Sequence, residues 1–158
     1  MPQSRHGPEK PCNSALWFVV CWRVRYTIDA DPVRRGICNC LCCQRYTGSA
    51  FQPFMIFPRE AVRLEGTLTS FSARSDRGGF VYRRFCSNCG SGVINGSEAD
   101  PGIVIVLAGT LDDPSRFNPT IELFCGRAQA WLRLAGQRQR FPGNARLGAI
   151  RSLGGDLP

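Results

Sequence analysis

The sequence predicts a mainly β domain, and three observations lead there. Short runs of β-branched and aromatic residues recur through the middle of the chain. Glycine and proline cut these runs off at close intervals. No stretch carries the sustained i, i+3, i+4 spacing of a long amphipathic helix, and no internal repeat is visible. With 158 residues, 43% of them hydrophobic, the chain is long enough for one domain with its own core.

Taken in order, residues 1–14 are polar, contain three prolines and read as a flexible arm. The domain is expected to span 15–142. Its first strand covers 16–28, where Trp17, Phe18, Val19 and Val20 run together before Val24, Tyr26 and Ile28 alternate with polar residues. A turn at 29–32 leads into a cysteine cluster, followed by a helical turn over 44–49 that ends near Gly48. Strands are expected at 54–57, 62–65, 67–72 and 80–85, separated by Pro58, Gly66 and the Gly78-Gly79 pair. Two more follow at 92–95 and 103–108, the second apolar throughout and hence central. Residues 109–114 form a turn, with Asp112 or Asp113 capping a brief helical turn. A strand at 121–125 and a short helical or extended segment at 128–134 holding Trp131 complete the domain. The glycine-rich stretch 143–158 reads as a loose tail.

The chemistry lies in the nine cysteines. Their odd number, uneven spacing and the adjacent pair Cys42-Cys43 speak for metal ligands rather than a disulfide framework. Cys38, Cys40 and Cys43 read as Cys-x-Cys-x-x-Cys; Cys86 and Cys89 read as Cys-x-x-Cys followed by Gly90. Zn–S bonds of about 2.3 Å require sulfurs roughly 4 Å apart, which such close spacing supplies. The glycine provides the left-handed backbone that the turn needs. Three thiolates with an exchangeable fourth position make a reactive zinc site, whereas a fourth protein ligand closes a structural one. Cys42, Cys125 or His6, the single histidine, are the residues that could close it. Cys86 and Cys89 give only two ligands; Cys21 is the best third, with Cys12 as a further candidate from the arm.

The formal charge of +8 permits nucleic acid or small anions as partners. The basic residues are nevertheless scattered, and Arg34-Arg35 and Arg83-Arg84 are short groups rather than a basic run. The apolar stretch 15–21 is short and no small-x-small cleavage site follows it. No stretch approaches the eighteen or so apolar residues of a membrane span, so a soluble, cytoplasmic protein is expected.

In order along the chain stand a strand cysteine at Cys21, the cluster 38–45, Gly48-Ser49-Ala50-Phe51, the motif 85–91, Gly109-Thr110-Leu111-Asp112-Asp113-Pro114 and Trp131. This series resembles the glutathione-dependent formaldehyde-activating enzyme family, whose domain centromere protein V shares, over roughly Val19 to Pro142. The resemblance implies a β-tent-like domain of short antiparallel strands with up to two Zn2+ per chain. It assigns Cys38, Cys40 and Cys43 to the catalytic site and Cys21, Cys86 and Cys89 to a structural one. Two positions depart from the family pattern. Val19 and Trp22 stand where a Cys-x-Cys-Gly motif has its first cysteine and its glycine, leaving the structural site one ligand short. Asn39 stands where the family often has histidine.

As an enzyme, the resemblance implies a carbon-sulfur lyase that reversibly joins a thiol, glutathione or similar, to a small aldehyde. Arg45 or Arg84 would then hold glutathione's carboxylates. As a binding module, the domain would use zinc only for folding and its positive surface for nucleic acid or a protein partner. The scattered charge favours the enzyme.

Overall fold

Residues 54–57 are all apolar, and a strand sends successive side chains to opposite faces, so this run must be covered on both sides. It is. In the computed structural model, which describes residues 17–18, 21–75 and 78–145, Phe54 and Ile56 pack into a core with Cys38, Cys43 and Ile121. Met55 and Phe57 enter a second core with Val24, Tyr26, Cys86, Val93, Val104 and Val106. Burying a side chain such as Phe57 contributes on the order of 2–3 kcal/mol.

The strands are β1 (Trp17–Phe18), β2 (Arg25–Ile28), β3 (Arg34–Cys38), β4 (Gln52–Pro58), β5 (Val62–Glu65), β6 (Leu68–Arg74), β7 (Phe80–Cys86), β8 (Gly92–Ser97), β9 (Ile103–Leu107), β10 (Ile121–Leu123) and β11 (Gln139–Arg140). Among the described residues there is one α-helix, α1 (Leu41–Thr47), which follows β3. The fold is therefore mainly β with little helix. β1, β2 and β5 form a three-stranded sheet. The other eight form one sheet in the order β11-β10-β3-β4-β9-β8-β7-β6. Val24 and Tyr26, at and beside the start of β2, lie in the core shared with β4 and β9, so the small sheet covers one face of the large one. The core that holds Phe54 and Ile56 lies on the other face of the large sheet.

Several elements differ from the sequence expectation, each for a local reason. The strand expected at 16–28 is two strands that pair back on each other, Trp17 with Tyr26 and Phe18 with Arg25. Trp22, between them, sits at φ 62, in the left-handed region that helps reverse the chain. Strand β3 was hidden because Arg34, Arg35 and Gly36 mask its pattern, yet it lies in mid-sheet between β10 and β4. Not all pairing is antiparallel: β10 runs parallel to both β3 and β11. Residues 128–134 are neither helix nor strand, and Trp131 is 74% exposed there. Asp113, by contrast, caps a short 3-10 turn as expected, its carboxylate accepting from the Ser115 N–H at 3.0 Å. The arm expected at 1–14 and the tail beyond residue 145 lie outside the described residues.

Candidate metal centres

The first cysteine cluster forms where a strand turns into a helix. Cys38 ends β3, Asn39 bridges, and Cys40 caps α1 with its sulfur 3.3 Å from the Cys43 N–H. Cys43 lies one turn in, on the buried side. Helix α1 stops at Gly48, whose left-handed conformation (φ 62) lets its N–H reach the Gln44 carbonyl. The sulfurs of Cys38, Cys40 and Cys43 all lie within 4.8 Å of one another. Among the described residues, no fourth His, Cys, Asp or Glu joins them.

The bridge between Cys38 and Cys40 is held firmly. Asn39 is 1% exposed, and its side-chain amide donates to Glu122 Oε1 and to the Leu123 carbonyl, both at 3.1 Å. Glu122 is itself buried and paired with Arg140 Nε at 3.2 Å. Gln44 secures the other side, donating to the Asn39 carbonyl at 2.7 Å and to the Arg127 carbonyl at 3.0 Å. Asn39 is thus a structural strut that ties the cysteine loop to β10.

The second cluster joins segments far apart in sequence. Cys21 Sγ lies 3.5 Å from Cys86 Sγ, and Cys89 completes a trio whose sulfurs are again within 4.8 Å of one another. Cys86 closes β7, and the turn that follows returns through a Gly90 N–H to Cys86 carbonyl bond of 2.9 Å. Gly90 has φ 74, the left-handed conformation expected of the glycine after Cys-x-x-Cys. Cys86 and Cys21 belong to the core under the small sheet, whereas Cys38, Cys40 and Cys43 belong to the core on the opposite face. These are two separate sites.

Both trios are positioned to chelate a metal ion. An all-sulfur donor set suits a soft or borderline cation, and a tetrahedral ion with bonds of about 2.3 Å spans sulfurs at these separations. Hydrogen bonds from Cys38 and Cys43 pull the Cys40 thiol well below its usual range, with further help from the Arg83 charge. Cys38 is pushed up by its hydrogen bonds to Cys40 and Cys43 and by burial. In the second trio, burial pushes Cys89 up, but hydrogen bonds from Ser91 and Cys21 outweigh it and bring the thiol to about 6.

Residues 19–127 match the model of the glutathione-dependent formaldehyde-activating enzyme family, which is most of the chain. The chain belongs to this family. No curated protein matches it. Among solved structures, a crystal structure of a Rhodobacter sphaeroides protein is similar, at 17% identity and a TM-score of 0.49, covering 61% of this chain and 86% of that one.

All six cysteines named from the formaldehyde-activating pattern therefore meet, in the expected two groups of three. Cys42 is exposed and Cys125 is half-buried; neither joins a group. Val19, Cys12 and His6 lie outside the described residues. Trp22, which stands where the resemblance places a glycine, adopts φ 62, a left-handed conformation that glycine takes without steric cost. Arg45 is exposed, and Arg84 points toward Tyr82, its guanidinium carbon 6.0 Å from that ring. The arginine that acts on the first trio is its neighbour Arg83, whose charge is felt by Cys40 and Cys43. Alternation along residues 80–85 is the signal that separates the two.

Proposed function

We propose that the protein is a carbon-sulfur lyase that reversibly adds a thiol, glutathione or similar, to a small aldehyde at the Cys38, Cys40 and Cys43 site. The observation that carries this is a three-sulfur group with no fourth ligand among the described residues, in a chain of the formaldehyde-activating family. Zinc held by these cysteines would supply a Lewis acid for the carbonyl or a site that favours the thiolate over the thiol. The addition forms one S–C bond, opens the carbonyl π bond and leaves the thiol proton on the new hydroxyl. The residues' own part is to hold the three thiolates on one side, through the Cys40 cap and the Asn39 strut, so that a position stays open. We assign Cys21, Cys86 and Cys89 to a second, structural zinc. We read the two-sheet domain of 15–142 as the β-tent of the family, working in the cytoplasm. No helix among the described residues is long and apolar enough to cross a membrane. Arg34, Arg35, Arg83 and Arg84 are all half-buried, which speaks against their forming a nucleic-acid surface.

Exchange NMR on an equilibrated mixture of glutathione and formaldehyde tests the activity. Zinc-loaded protein is expected to raise the exchange rate between free and adduct forms well above the spontaneous rate. An unchanged rate, together with binding to DNA or RNA that weakens steeply with salt, would replace this reading with the binding module.

A further inference from the structure

The first cysteine trio has a polar flank that the proposal above leaves unused. Arg83 on β7 and Asn95 on β8 are direct cross-strand partners, so their side chains stand on the same face with Cβ atoms about 5 Å apart. The Arg83 guanidinium carbon lies 4.7 Å from the centroid of the Tyr46 ring. Tyr46 follows Cys43 by three residues on α1 and shares its side of the helix. Asn95 Nδ2 donates to Gln52 Oε1 at 3.4 Å, and Gln52 is in turn the cross-strand partner of Cys38. A continuous path thus runs from Cys38 through Gln52, Asn95, Arg83 and Tyr46 back to Cys43.

Three atoms on this path are buried without a hydrogen-bond partner among the described residues: Arg83 Nη1, Tyr46 Oη and Asn95 Oδ1. Asn95 as a whole is only 3% exposed. Each such atom in a native structure calls for an explanation, and here two donors and one acceptor belong to connected residues beside a candidate reactive centre. The chain also keeps room for them. A Cβ on Gly92 would fall 2.6 Å from Tyr46 Oη and 2.9 Å from Leu107 Cδ2, so any larger residue would displace the hydroxyl. A cationic N–H and a phenol facing one ligand suit a carboxylate, and a nearby amide oxygen suits a hydroxyl donor.

We propose that Arg83, Tyr46 and Asn95 form the subsite for an aldehyde that carries a carboxylate next to its carbonyl, with glyoxylate the simplest member of that class. This rests on the thiol-addition reading and names its substrate. The carboxylate accepts hydrogen bonds from Arg83 Nη1 and Tyr46 Oη. When the thiol adds, the S–C bond forms, the thiol proton ends on the former carbonyl oxygen, and the resulting hydroxyl donates to Asn95 Oδ1. No oxidant or reductant is consumed. Gln52 is a positioning residue that orients the Asn95 amide.

Glycolate carries the same carboxylate and hydroxyl but has no carbonyl to react, so it probes the subsite alone. Calorimetric titration of the zinc-loaded full chain is expected to show glycolate binding, with acetate weaker because it lacks the hydroxyl. Arg83→Gln should weaken glycolate about tenfold or more through the loss of a charge-assisted bond, with Arg83→Lys between the two. Arg84→Gln, on the opposite strand face, should bind glycolate like the unaltered chain. Kinetically, Arg83→Gln should lower kcat/KM for glyoxylate more than for formaldehyde. Equal glycolate affinity before and after Arg83→Gln, with zinc content unchanged, would overturn the subsite. So would thiol addition to formaldehyde without any glycolate binding, which would leave the lyase reading standing. Glycolate binding that depends on Arg83, without addition to any aldehyde, would support the subsite and remove the lyase reading.

Discussion

Cys38→Ser, Cys40→Ser and Cys43→Ser are each expected to release close to one equivalent of zinc and to abolish thiol addition, whereas Cys42→Ser should do neither. The four residues lie within one six-residue stretch, so sequence distance cannot separate them. Geometry does: three sulfurs lie within 4.8 Å of one another, and Cys42 is exposed outside the group. A thiolate zinc site can be worth about 10 kcal/mol or more of binding free energy, so losing one of three thiolates should lower affinity by orders of magnitude. Cys40 should be the most sensitive, since its sulfur also caps α1 by accepting from the Cys43 N–H. Zinc content after desalting, measured on reduced protein, checks the series. Equal loss from Cys42→Ser would show that the cluster binds its ion in another register.

The second large effect is expected on stability. Cys86→Ser should lower the melting temperature by roughly 10 °C or more, several kcal/mol for a domain of this size. Cys86 is 1% exposed in the core beneath the small sheet, and its trio ties the Cys21 turn to the end of β7. Chelator should reproduce most of the loss in the unaltered chain and little more in Cys86→Ser. Trp22 holds a left-handed conformation that costs an L-residue on the order of 1–2 kcal/mol, which glycine largely avoids. Val19→Cys combined with Trp22→Gly should therefore raise both zinc retention and melting temperature. A melting temperature indifferent to chelator would mean that no ion supports this core.

Much of the site was legible because thiol spacing is a local property. Cys38, Cys40 and Cys43 are brought together by one strand end and one helical turn, so the stretch contains its own geometry. Cys21 could be named as the best third ligand for Cys86 and Cys89, but spacing left Cys12 open beside it because 65 residues separate Cys21 from Cys86, and the family resemblance singles Cys21 out. The polar flank was not legible. Tyr46, Gln52, Arg83 and Asn95 come from α1, β4, β7 and β8, and only the order of strands in the large sheet makes them neighbours. In the fold, the strands 62–65 and 80–85 could be read from apolar runs and turn residues, and the structure places β5 and β7 there. Strand β3 could not, since two arginines and a glycine open it and its partners on both sides supply the apolar cover. The reversal at Trp22 could not either, because nothing in a tryptophan signals a left-handed backbone.

If the Cys38, Cys40 and Cys43 site leaves a coordination position open to a thiol, cobalt substitution reports it directly. Adding glutathione to the cobalt-loaded protein should alter the d–d and thiolate charge-transfer bands. The change should vanish in Cys40→Ser and persist in Cys86→Ser. It should also weaken as pH falls, because the incoming thiol must lose its proton to coordinate. A cobalt spectrum that stays the same at saturating glutathione, with both ions bound, would mean that the site is closed to thiols and that no addition takes place there.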